Sequence, residues 1–478
     1  MSQPGFLQNI ALVQDKTSKT IPSLPPSWAA RSIFYQIFPD RFYNGNHSND
    51  PAATEAWNGQ PTYYNFFGGD LQGIIEKIPY LKQLGVTALY LNPIFESPSN
   101  HKYNTSDFLK IDPAFGDIWT FKKLLQELHR QEMKLIIDGV FNHTGDTFWA
   151  FRDVLKRGAD SRFKDWYFFH GFPVVQGPNP NYDCWWNFGT LPKLNYENPE
   201  VVRYILRVVA FWTSLGIDGW RLDVPNEVVF DFWKVFRRLV KSINPEAFIV
   251  GEIWDDPFGW LQGDTCDAVM NYRWREAVLR YFAYGASSAE QFRVELCQLR
   301  RNLPWETIIS AYNLLGSHDT PRFLTLCGGD RRKFLAALAF QFTYPGIPAL
   351  YYGDEVGLTG DKDPDCRKTM QWDPQKQDQV ILEATRSLAA LRQKYQALQD
   401  GGYYGLAVGD SLFGFIRLGK REQVLFVSNM SPECRSIQLP AEWNGGWEPL
   451  YAVGSSLSGL DYPEIPPQGV RIFKRDLI

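Results

Sequence analysis

Eight short apolar segments, separated by segments long enough for helices, constrain the fold of this chain more than any other feature. They lie at 32–38, 86–91, 134–140, 217–223, 247–252, 267–270, 311–316 and 348–353. Intervening segments such as 118–132 and 199–216 have helical character, and the second ends in Gly216, a common helix stop. Eight strands that alternate with helices predict an α/β fold in which a parallel sheet closes into a (β/α)8 TIM barrel.

The interval that follows the third predicted strand is too long for a simple loop. It contains about 50 residues that are rich in aromatics, Pro and Asn. A structureless loop of that length is unusual inside a compact domain. We therefore predict a small inserted subdomain at 144–196.

The sequence pattern changes near residue 400. After a helical segment at 381–398, apolar residues alternate with period two and are separated by Gly, Pro, Asn and Ser. This pattern predicts a C-terminal antiparallel β-sandwich at 399–478. Residues 1–30 are polar and proline-rich, which predicts an N-terminal arm and leaves 31–398 for the barrel.

Composition excludes several classes of function. The formal charge of −4 leaves no basic patch for nucleic acid, and no run approaches the roughly 18 apolar residues that span a membrane. The N-terminus lacks the features of a signal peptide. The six cysteines are scattered without CxxC or metal-ligand spacing, which favours buried thiols in a reducing compartment. We expect a cytoplasmic protein that requires no cofactor.

Three carboxylates, those of Asp223, Glu252 and Asp319, follow the fourth, fifth and seventh predicted strands. Barrel enzymes place their catalytic groups at these strand ends. Cleavage of a glycosidic bond needs an acid that protonates the leaving oxygen and a carboxylate on the opposite face of the sugar. A surface ion or a helix cap would explain any one of the three, but all three together favour a catalytic site.

Arg221, His143 and His318 also lie within or just after predicted strands. Arg221 precedes Asp223 by two residues, so the two side chains leave the same face of the strand, and the guanidinium would keep Asp223 ionised and oriented. A lone histidine is more often structural, but two at strand ends favour hydrogen bonds to substrate hydroxyls. Zinc is disfavoured, because no HExxH or Cys/His cluster accompanies them.

The order of these motifs resembles the α-amylase family of glycoside hydrolases (family 13) over nearly the full chain. DGVFNH (138–143), GWRLDVPNE (219–227), GEIW (251–254) and GSHD (316–319) are similar to its four signatures. LPKLN (191–195), GVTALYLNP (85–93) and GIPALYYGDE (346–355) are similar to supporting signatures. LPKLN, FYQIFPDRFYNGN and VPNE further resemble the subgroup of cyclomaltodextrinases, neopullulanases and maltogenic amylases.

The resemblance implies a role for each site residue. Asp223 would be the nucleophile, Glu252 the general acid/base and Asp319 the transition-state stabiliser. Arg221, His143 and His318 would contact the sugar at the cleavage point. The remaining residues implied to bind substrate are Tyr103, which would stack beneath that sugar, and Asn226, Glu227, Trp254, Asp363 and Arg367.

The sequence departs from this subgroup in two respects. Its members usually carry an N-terminal β-domain that walls the partner's active site in a dimer, whereas the barrel here begins after about 30 residues. We therefore expect a wider cleft that admits branched chains, and either a monomer or a dimer through another surface. Asn104 also replaces a common Asp, and Pro225 a common Ala; both could shift linkage preference.

One segment resembles a calcium loop of related enzymes. It consists of NGNHSND (44–50) with GGD (68–70), and the implied ligands are Asn44, Asn46, Asn49, Asp50, Gly68 and Asp70. Only two of these are carboxylates, whereas calcium favours charged ligands. A metal-free turn rich in Asn and Gly is therefore the alternative.

The resemblance implies a retaining hydrolase of α-1,4 and/or α-1,6 glucosidic bonds, with some transglycosylation. Its substrates would be maltodextrins, cyclodextrins, pullulan or branched oligosaccharides. The alternatives are a predominantly α-1,6 debranching enzyme, a 4-α-glucanotransferase and a non-catalytic carbohydrate-binding relative. The last would be expected to lack Asp223 or Glu252, and both are present.

Overall fold

The computed structural model describes residues 23–406, 408, 411–454 and 464–477. The first 22 residues of the predicted N-terminal arm lie outside this range, as do 407, 409–410, 455–463 and 478 of the predicted C-terminal region. The domain boundaries given above stay predictions.

Eight of the strands form one parallel sheet, and each overlaps a predicted strand. Their order across the sheet is Ala268–Val269, Phe248–Gly251, Gly219–Leu222, Lys134–Gly139, Ala88–Leu91, Phe34–Ile37, Ile347–Tyr351 and Tyr312–Leu314. The predicted TIM barrel is thereby confirmed. The strands of the described residues are β1 Phe34–Ile37, β2 Ala88–Leu91, β3 Phe95–Glu96, β4 Asp107–Ile111, β5 Lys134–Gly139, β6 Gly219–Leu222, β7 Phe248–Gly251, β8 Ala268–Val269, β9 Tyr312–Leu314, β10 Ile347–Tyr351, β11 Gly402–Leu406, β12 Leu412–Leu418, β13 Glu422–Asn429, β14 Arg435–Ser436, β15 Glu448–Val453, β16 Glu464–Ile465 and β17 Gly469–Asp476.

Helices separate most of the barrel strands, and several begin at a side chain that caps free backbone N–H groups. In this way Asp117, Asn198 and Asp330 cap the helices Ile118–Arg130, Pro199–Ser214 and Arg331–Thr343. The α-helices of the described residues are α1 Ser27–Ala30, α2 Pro39–Phe42, α3 Leu71–Gln83, α4 Ile118–Arg130, α5 Trp149–Arg157, α6 Pro199–Ser214, α7 Phe230–Ile243, α8 Tyr272–Val278, α9 Ala289–Arg300, α10 Trp305–Ile309, α11 Phe323–Leu326, α12 Arg331–Thr343, α13 Gln379–Lys394 and α14 Gln396–Gln399.

The chain divides into two compact units. The first contains Ile37–Ile78 and Ala88–Val269, and its largest buried side chains include Trp212, Trp220 and Trp233. It also contains the predicted insertion, which follows β5 and is tied back by isolated bridges between His143 and Lys193 and between Cys184 and Pro192. The insertion therefore returns to the end of the strand from which it departs.

The second unit contains Ser27–Gln36, Pro79–Thr87 and the described part of Met270–Ile478. Its C-terminal strands form an antiparallel sheet in the order β11-β12-β13-β17-β15 and a two-stranded sheet of β14 and β16. Phe340 of α12 packs against Phe413, Phe415 and Phe426 of that larger sheet. The predicted C-terminal antiparallel β-structure is thus confirmed.

Candidate active site

Arg221, in β6, contacts three carboxylates of the first unit. Its Nη1 atom lies 3.0 Å from both oxygens of Asp138 and 2.9 Å from Asp223 Oδ1, and Nη2 lies 2.8 Å from Glu252 Oε2. Burial alone would lower the pKa of Arg221, but the carboxylates of Asp138 and Glu252 outweigh it and raise that pKa well above its usual range. The guanidinium is therefore a fixed cation between Asp223 and Glu252.

Asp138 lies within the candidate site, although the sequence analysis did not single it out. Its Oδ2 accepts hydrogen bonds from Tyr90 Oη at 2.6 Å and Tyr103 Oη at 3.0 Å. Burial raises the pKa of Asp138, and Arg221 opposes that rise. Asp138 connects Tyr103, the predicted stacking residue, to Arg221. Its signal in the sequence was its place as the first residue of DGVFNH, at the end of β5.

Two donors from neighbouring segments orient the carboxyl group of Glu252. The backbone N–H of Val224 donates to Oε2 at 3.1 Å, and the indole N–H of Trp254 donates to Oε1 at 3.1 Å. Val224 has φ 33° and ψ 52°, a left-handed conformation that is strained for a β-branched residue. Trp254 is 48% exposed, so one part of its ring system faces solvent beside Glu252.

His143 lies at the start of the insertion and is buried. Burial lowers the pKa of His143 to about 4, so the imidazole is neutral near pH 7. Its Nδ1 atom lies 3.1 Å from the side-chain amide of Asn142. Nε2 is buried and has no partner of normal hydrogen-bond geometry among the described residues. A substrate hydroxyl would satisfy that atom.

An ion pair joins the insertion to the turn that follows Asp223. Lys193, in LPKLN, lies 3.1 Å from Glu227 Oε2, and both side chains are partly exposed. Glu227 was a predicted substrate-binding residue, but Lys193 was not. Asn226, its neighbour in VPNE, is exposed. In this turn the Asn226 amide is therefore open to solvent, whereas the Glu227 carboxylate is already paired with Lys193.

The remaining predicted residues lie in the second unit. His318 Nε2 lies 3.1 Å from Asp319 Oδ2, and the Gln36 amide lies 2.8 Å from the other ring nitrogen. Arg367 Nη2 donates to Asp319 Oδ1 at 3.3 Å, and Nη1 lies 3.1 Å from Asp363 Oδ2. Burial alone would lower the pKa of Arg367, but Asp363 and Asp319 outweigh it and raise that pKa. His318 and Arg367 thus hold Asp319 from both of its oxygens.

Both departures from the subgroup pattern have local structural roles. Asn104 is buried, and its Oδ1 accepts hydrogen bonds from Ser97 and Ser99, which fixes the loop before Tyr103. Pro225 begins a short 3-10 helix, and its carbonyl accepts a hydrogen bond from the Trp233 indole at 2.9 Å. These contacts do not test the predicted effect of either residue on linkage preference.

The residues of the predicted calcium loop fit an oxygen-ligated cation. Asn44 Oδ1 and Asn49 Oδ1 are buried and have no hydrogen-bond partner among the described residues. Asp50 accepts from the Asn44 amide at 2.7 Å, and a Cβ on Gly68 would lie 2.5 Å from Asp50 Oδ1. Asp70 accepts the backbone N–H groups of 45, 46 and 73. Orphaned amide oxygens beside carboxylates are the donor set that calcium takes.

The described residues meet neither the requirements of other metal sites nor those of membrane-spanning helices. No group of three or more His, Cys, Asp and Glu side chains there is arranged to hold a metal, and all six cysteines are free thiols. Among those same residues, no helix combines the length and apolarity needed to cross a bilayer.

Comparisons with known proteins identify a family and several relatives of this chain. The family described as "Alpha amylase, catalytic domain" matches residues 36–400. Neopullulanase 2 of Thermoactinomyces vulgaris is 49% identical over 88% of this chain and 73% of its own. A cyclomaltodextrinase of Geobacillus thermopakistaniensis is 47% identical over 88% of this chain and 72% of its own. The ligand-free cyclic α-maltosyl-(1→6)-maltose hydrolase of Arthrobacter globiformis superposes with a TM-score of 0.89 at 38% identity, over 95% of this chain and all of that one.

Proposed function

We propose that this chain, which belongs to the α-amylase family of glycoside hydrolases, hydrolyses α-1,4 and/or α-1,6 glucosidic bonds with retention of configuration. The contact of one guanidinium with both Asp223 and Glu252 carries this proposal. It makes the two carboxyl groups neighbours, as the roughly 5 Å separation of a retaining pair requires; an inverting pair leaves room for a water between them.

The proposed roles follow from what each group can do. Asp223, held ionised by Arg221, attacks the anomeric carbon while Glu252 gives its proton to the departing glycosidic oxygen. The covalent glycosyl-enzyme is then cleaved by a water that Glu252 deprotonates, or by a sugar hydroxyl in transglycosylation. We assign Asp319 to stabilisation of the oxocarbenium-like transition state. Substrate contacts are assigned to Tyr103, His143, His318, Asn226, Glu227, Trp254, Asp363 and Arg367.

We propose that the substrates are maltodextrins, cyclodextrins, pullulan or branched oligosaccharides. The similar neopullulanase and cyclomaltodextrinase support this range. A second candidate, predominant α-1,6 cleavage, is favoured by the high structural similarity to a hydrolase named for a cyclic α-maltosyl-(1→6)-maltose. Both candidates use the same pair of carboxyl groups and differ only in which linkage is presented to them.

Chromatography of the products from pullulan tests these proposals, because its α-1,6 bonds join maltotriose units. Panose would show α-1,4 cleavage, and maltotriose would show α-1,6 cleavage. Asp223→Asn should abolish both products, whereas the exposed Asp160→Asn should leave them unchanged. Full activity of Asp223→Asn would overturn the assignment of the nucleophile, and inactivity of the native chain on pullulan, cyclodextrin and maltodextrin would overturn the function.

Two further properties are proposals of the same kind. We propose that Asn44, Asn46, Asn49, Asp50, Gly68 and Asp70 hold calcium, on the strength of the orphaned amide oxygens. We also propose a cytoplasmic location, because six free thiols suit a reducing compartment. Whether the chain is a monomer or a dimer stays a prediction.

A further inference from the structure

Tyr90 is a buried residue of β2 whose hydroxyl contacts the candidate active site from below its surface. Its Oη donates to Asp138 Oδ2 at 2.6 Å, a distance typical of a hydroxyl that is bound to an ionised carboxylate. Both side chains are fully buried. In the sequence Tyr90 lies in GVTALYLNP, and the proposed mechanism gives it no role.

The register of the barrel strands brings Tyr90, Asp138 and Arg221 together. Tyr90 of β2 pairs with Ile136 of β5, and Asp138 lies two residues further along β5, so Tyr90 and Asp138 take the same face of the sheet. Asp138 itself pairs with Arg221 of β6. Three adjacent strands therefore present a hydroxyl, a carboxylate and a guanidinium side by side.

Asp138 and Asp223 share one nitrogen of Arg221. Nη1 lies 3.0 Å from each oxygen of Asp138 and 2.9 Å from Asp223 Oδ1. How strongly Asp138 attracts this nitrogen depends on the other donors that its oxygens hold, and Oδ2 accepts from the hydroxyls of Tyr90 and Tyr103. Loss of a hydroxyl should therefore draw Arg221 towards Asp138 and away from Asp223.

Tyr90 differs from Tyr103 in being unable to touch substrate. Tyr103 is partly exposed and is assigned to a substrate contact, whereas Tyr90 is fully buried. Phenylalanine at position 90 would keep the ring, whose centroid lies 5.8 Å from the Arg221 guanidinium, and would remove only the hydroxyl. An effect of that change on hydrolysis would therefore pass through Asp138, which the hydroxyl contacts.

We propose that Tyr90 is a positioning residue for hydrolysis. Its hydroxyl holds Asp138, and Asp138 in turn leaves Arg221 shared with the proposed nucleophile, Asp223. Tyr90 thus acts at two removes from the bond that is cleaved, through a carboxylate and then a guanidinium. This inference rests on the proposed function and adds to it a residue that the substrate does not reach.

Removal of the Tyr90 hydroxyl should change the pH dependence of hydrolysis in one direction. The charged and titratable groups that face Asp138 are Tyr90 of β2, Tyr103 of the β3–β4 loop, Arg221 of β6 and Glu252 after β7. Burial raises the pKa of Asp138, and Arg221 and the Tyr90 hydroxyl oppose that rise. Without the hydroxyl, the linked carboxylates should take up a proton at a higher pH, which moves the acidic limb of kcat/KM upward.

Tyr90→Phe, with Tyr196→Phe as the matched control, tests the proposal. Tyr196 is also buried, and its hydroxyl donates to the Phe141 carbonyl at 2.7 Å, so both changes remove one buried hydrogen bond. On whichever of maltodextrin, cyclodextrin and pullulan the native chain hydrolyses, Tyr90→Phe should lower kcat about tenfold and keep KM within about twofold. Its acidic limb should move up by about half a pH unit, and that of Tyr196→Phe should not move.

A double-mutant cycle with Asp138→Asn tests whether Tyr90 acts through Asp138. In the Asp138→Asn background, Tyr90→Phe should lower kcat by less than about twofold more, because the two residues act as a unit. A second tenfold loss there, or equal pH profiles for Tyr90→Phe and Tyr196→Phe, would overturn the positioning role while hydrolysis by the native chain still stood. Absence of hydrolysis in the native chain would instead overturn the proposed function.

Discussion

Arg221 has a task that only a planar, forked cation can perform, because its two terminal nitrogens contact Asp138, Asp223 and Glu252. A lysine ammonium is a single point of charge and cannot reach all three. We expect Arg221→Lys to lower kcat on maltotriose at least 100-fold, about 3 kcal/mol of transition-state stabilisation. Arg237→Lys is the control, since it alters a comparably buried pair with Asp267. Equal losses in both variants would assign Arg221 a structural role only.

The strained backbone of Val224 bears on the positions of both proposed catalytic groups, since Val224 follows Asp223 and its N–H donates to Glu252. Its φ of 33° penalises any residue that has a Cβ. We therefore expect Val224→Gly to be more stable than Val224→Ala by about 1 kcal/mol, the reverse of the usual order for these residues. Urea denaturation of the two variants measures the difference. A more stable alanine variant would show that the left-handed conformation is not present in solution.

His143 makes stability depend on pH. Its pKa is about 4 in the folded chain against 6.5 for an ordinary imidazole, so the unfolded chain binds more protons between these values. The free energy of unfolding should therefore decrease as pH falls from about 6.5 to about 4, by roughly 3 kcal/mol from this residue. His143→Gln should remove that component of the pH profile, whereas His47→Gln, at an exposed site, should retain it. Identical profiles for the two variants would refute the assignment.

At the scale of elements, the loop at 44–50 is where a bound cation would act. Calcium would satisfy the Asn44 and Asn49 oxygens and neutralise Asp50. It should therefore bind the folded chain and not the unfolded one, which stabilises the fold. We expect 1 mM calcium, relative to EDTA, to raise the thermal midpoint by about 1 °C for each 1 kcal/mol of stabilisation, the scale set by the unfolding entropy of a 478-residue chain. Asp50→Asn should abolish the shift, and magnesium should not reproduce it. If calcium does not change the thermal midpoint of the native chain, the loop is a metal-free turn.

The barrel strands could be predicted from sequence because each is a short apolar run with a clear boundary. The ends of β6 and β7 fall directly before Asp223 and Glu252, as the motifs require. The insertion could be predicted only as an interval, since its path depends on 3-10 turns and isolated bridges. The pairing of Lys193 with Glu227 had no local signal, because it joins residues 34 positions apart in the sequence.

At the scale of the whole molecule, the three proposed catalytic carboxylates do not all belong to the same compact unit. The first unit carries Asp223 and Glu252, and the second carries Asp319. The C-terminal sheet belongs to the same compact unit as Asp319, and the family match ends at residue 400, where that sheet begins. The stability of the sheet therefore bears on the segment that presents the third carboxylate.

Substitution of Arg417 tests whether the segment that carries Asp319 depends on the C-terminal sheet, because Arg417 links β12 by hydrogen bonds to the residues that precede it. Its fully buried guanidinium donates to the carbonyls of Thr343 at 2.9 Å, Leu398 at 3.2 Å and Gly401 at 2.9 Å. Arg417→Leu would leave those carbonyls unsatisfied and should lower the free energy of unfolding by about 3–5 kcal/mol.

Arg475→Leu should cost only about 1 kcal/mol, since that guanidinium is only half-buried, where it lies over the rings of Trp443 and Trp447 and donates to Gln423. Urea denaturation followed by activity and by tryptophan fluorescence measures both variants. If Asp319 depends on the sheet, activity and fluorescence of Arg417→Leu should be lost together at a lower urea concentration than in the native chain. Loss of fluorescence with activity intact would show that the C-terminal sheet unfolds independently of the segment that carries Asp319.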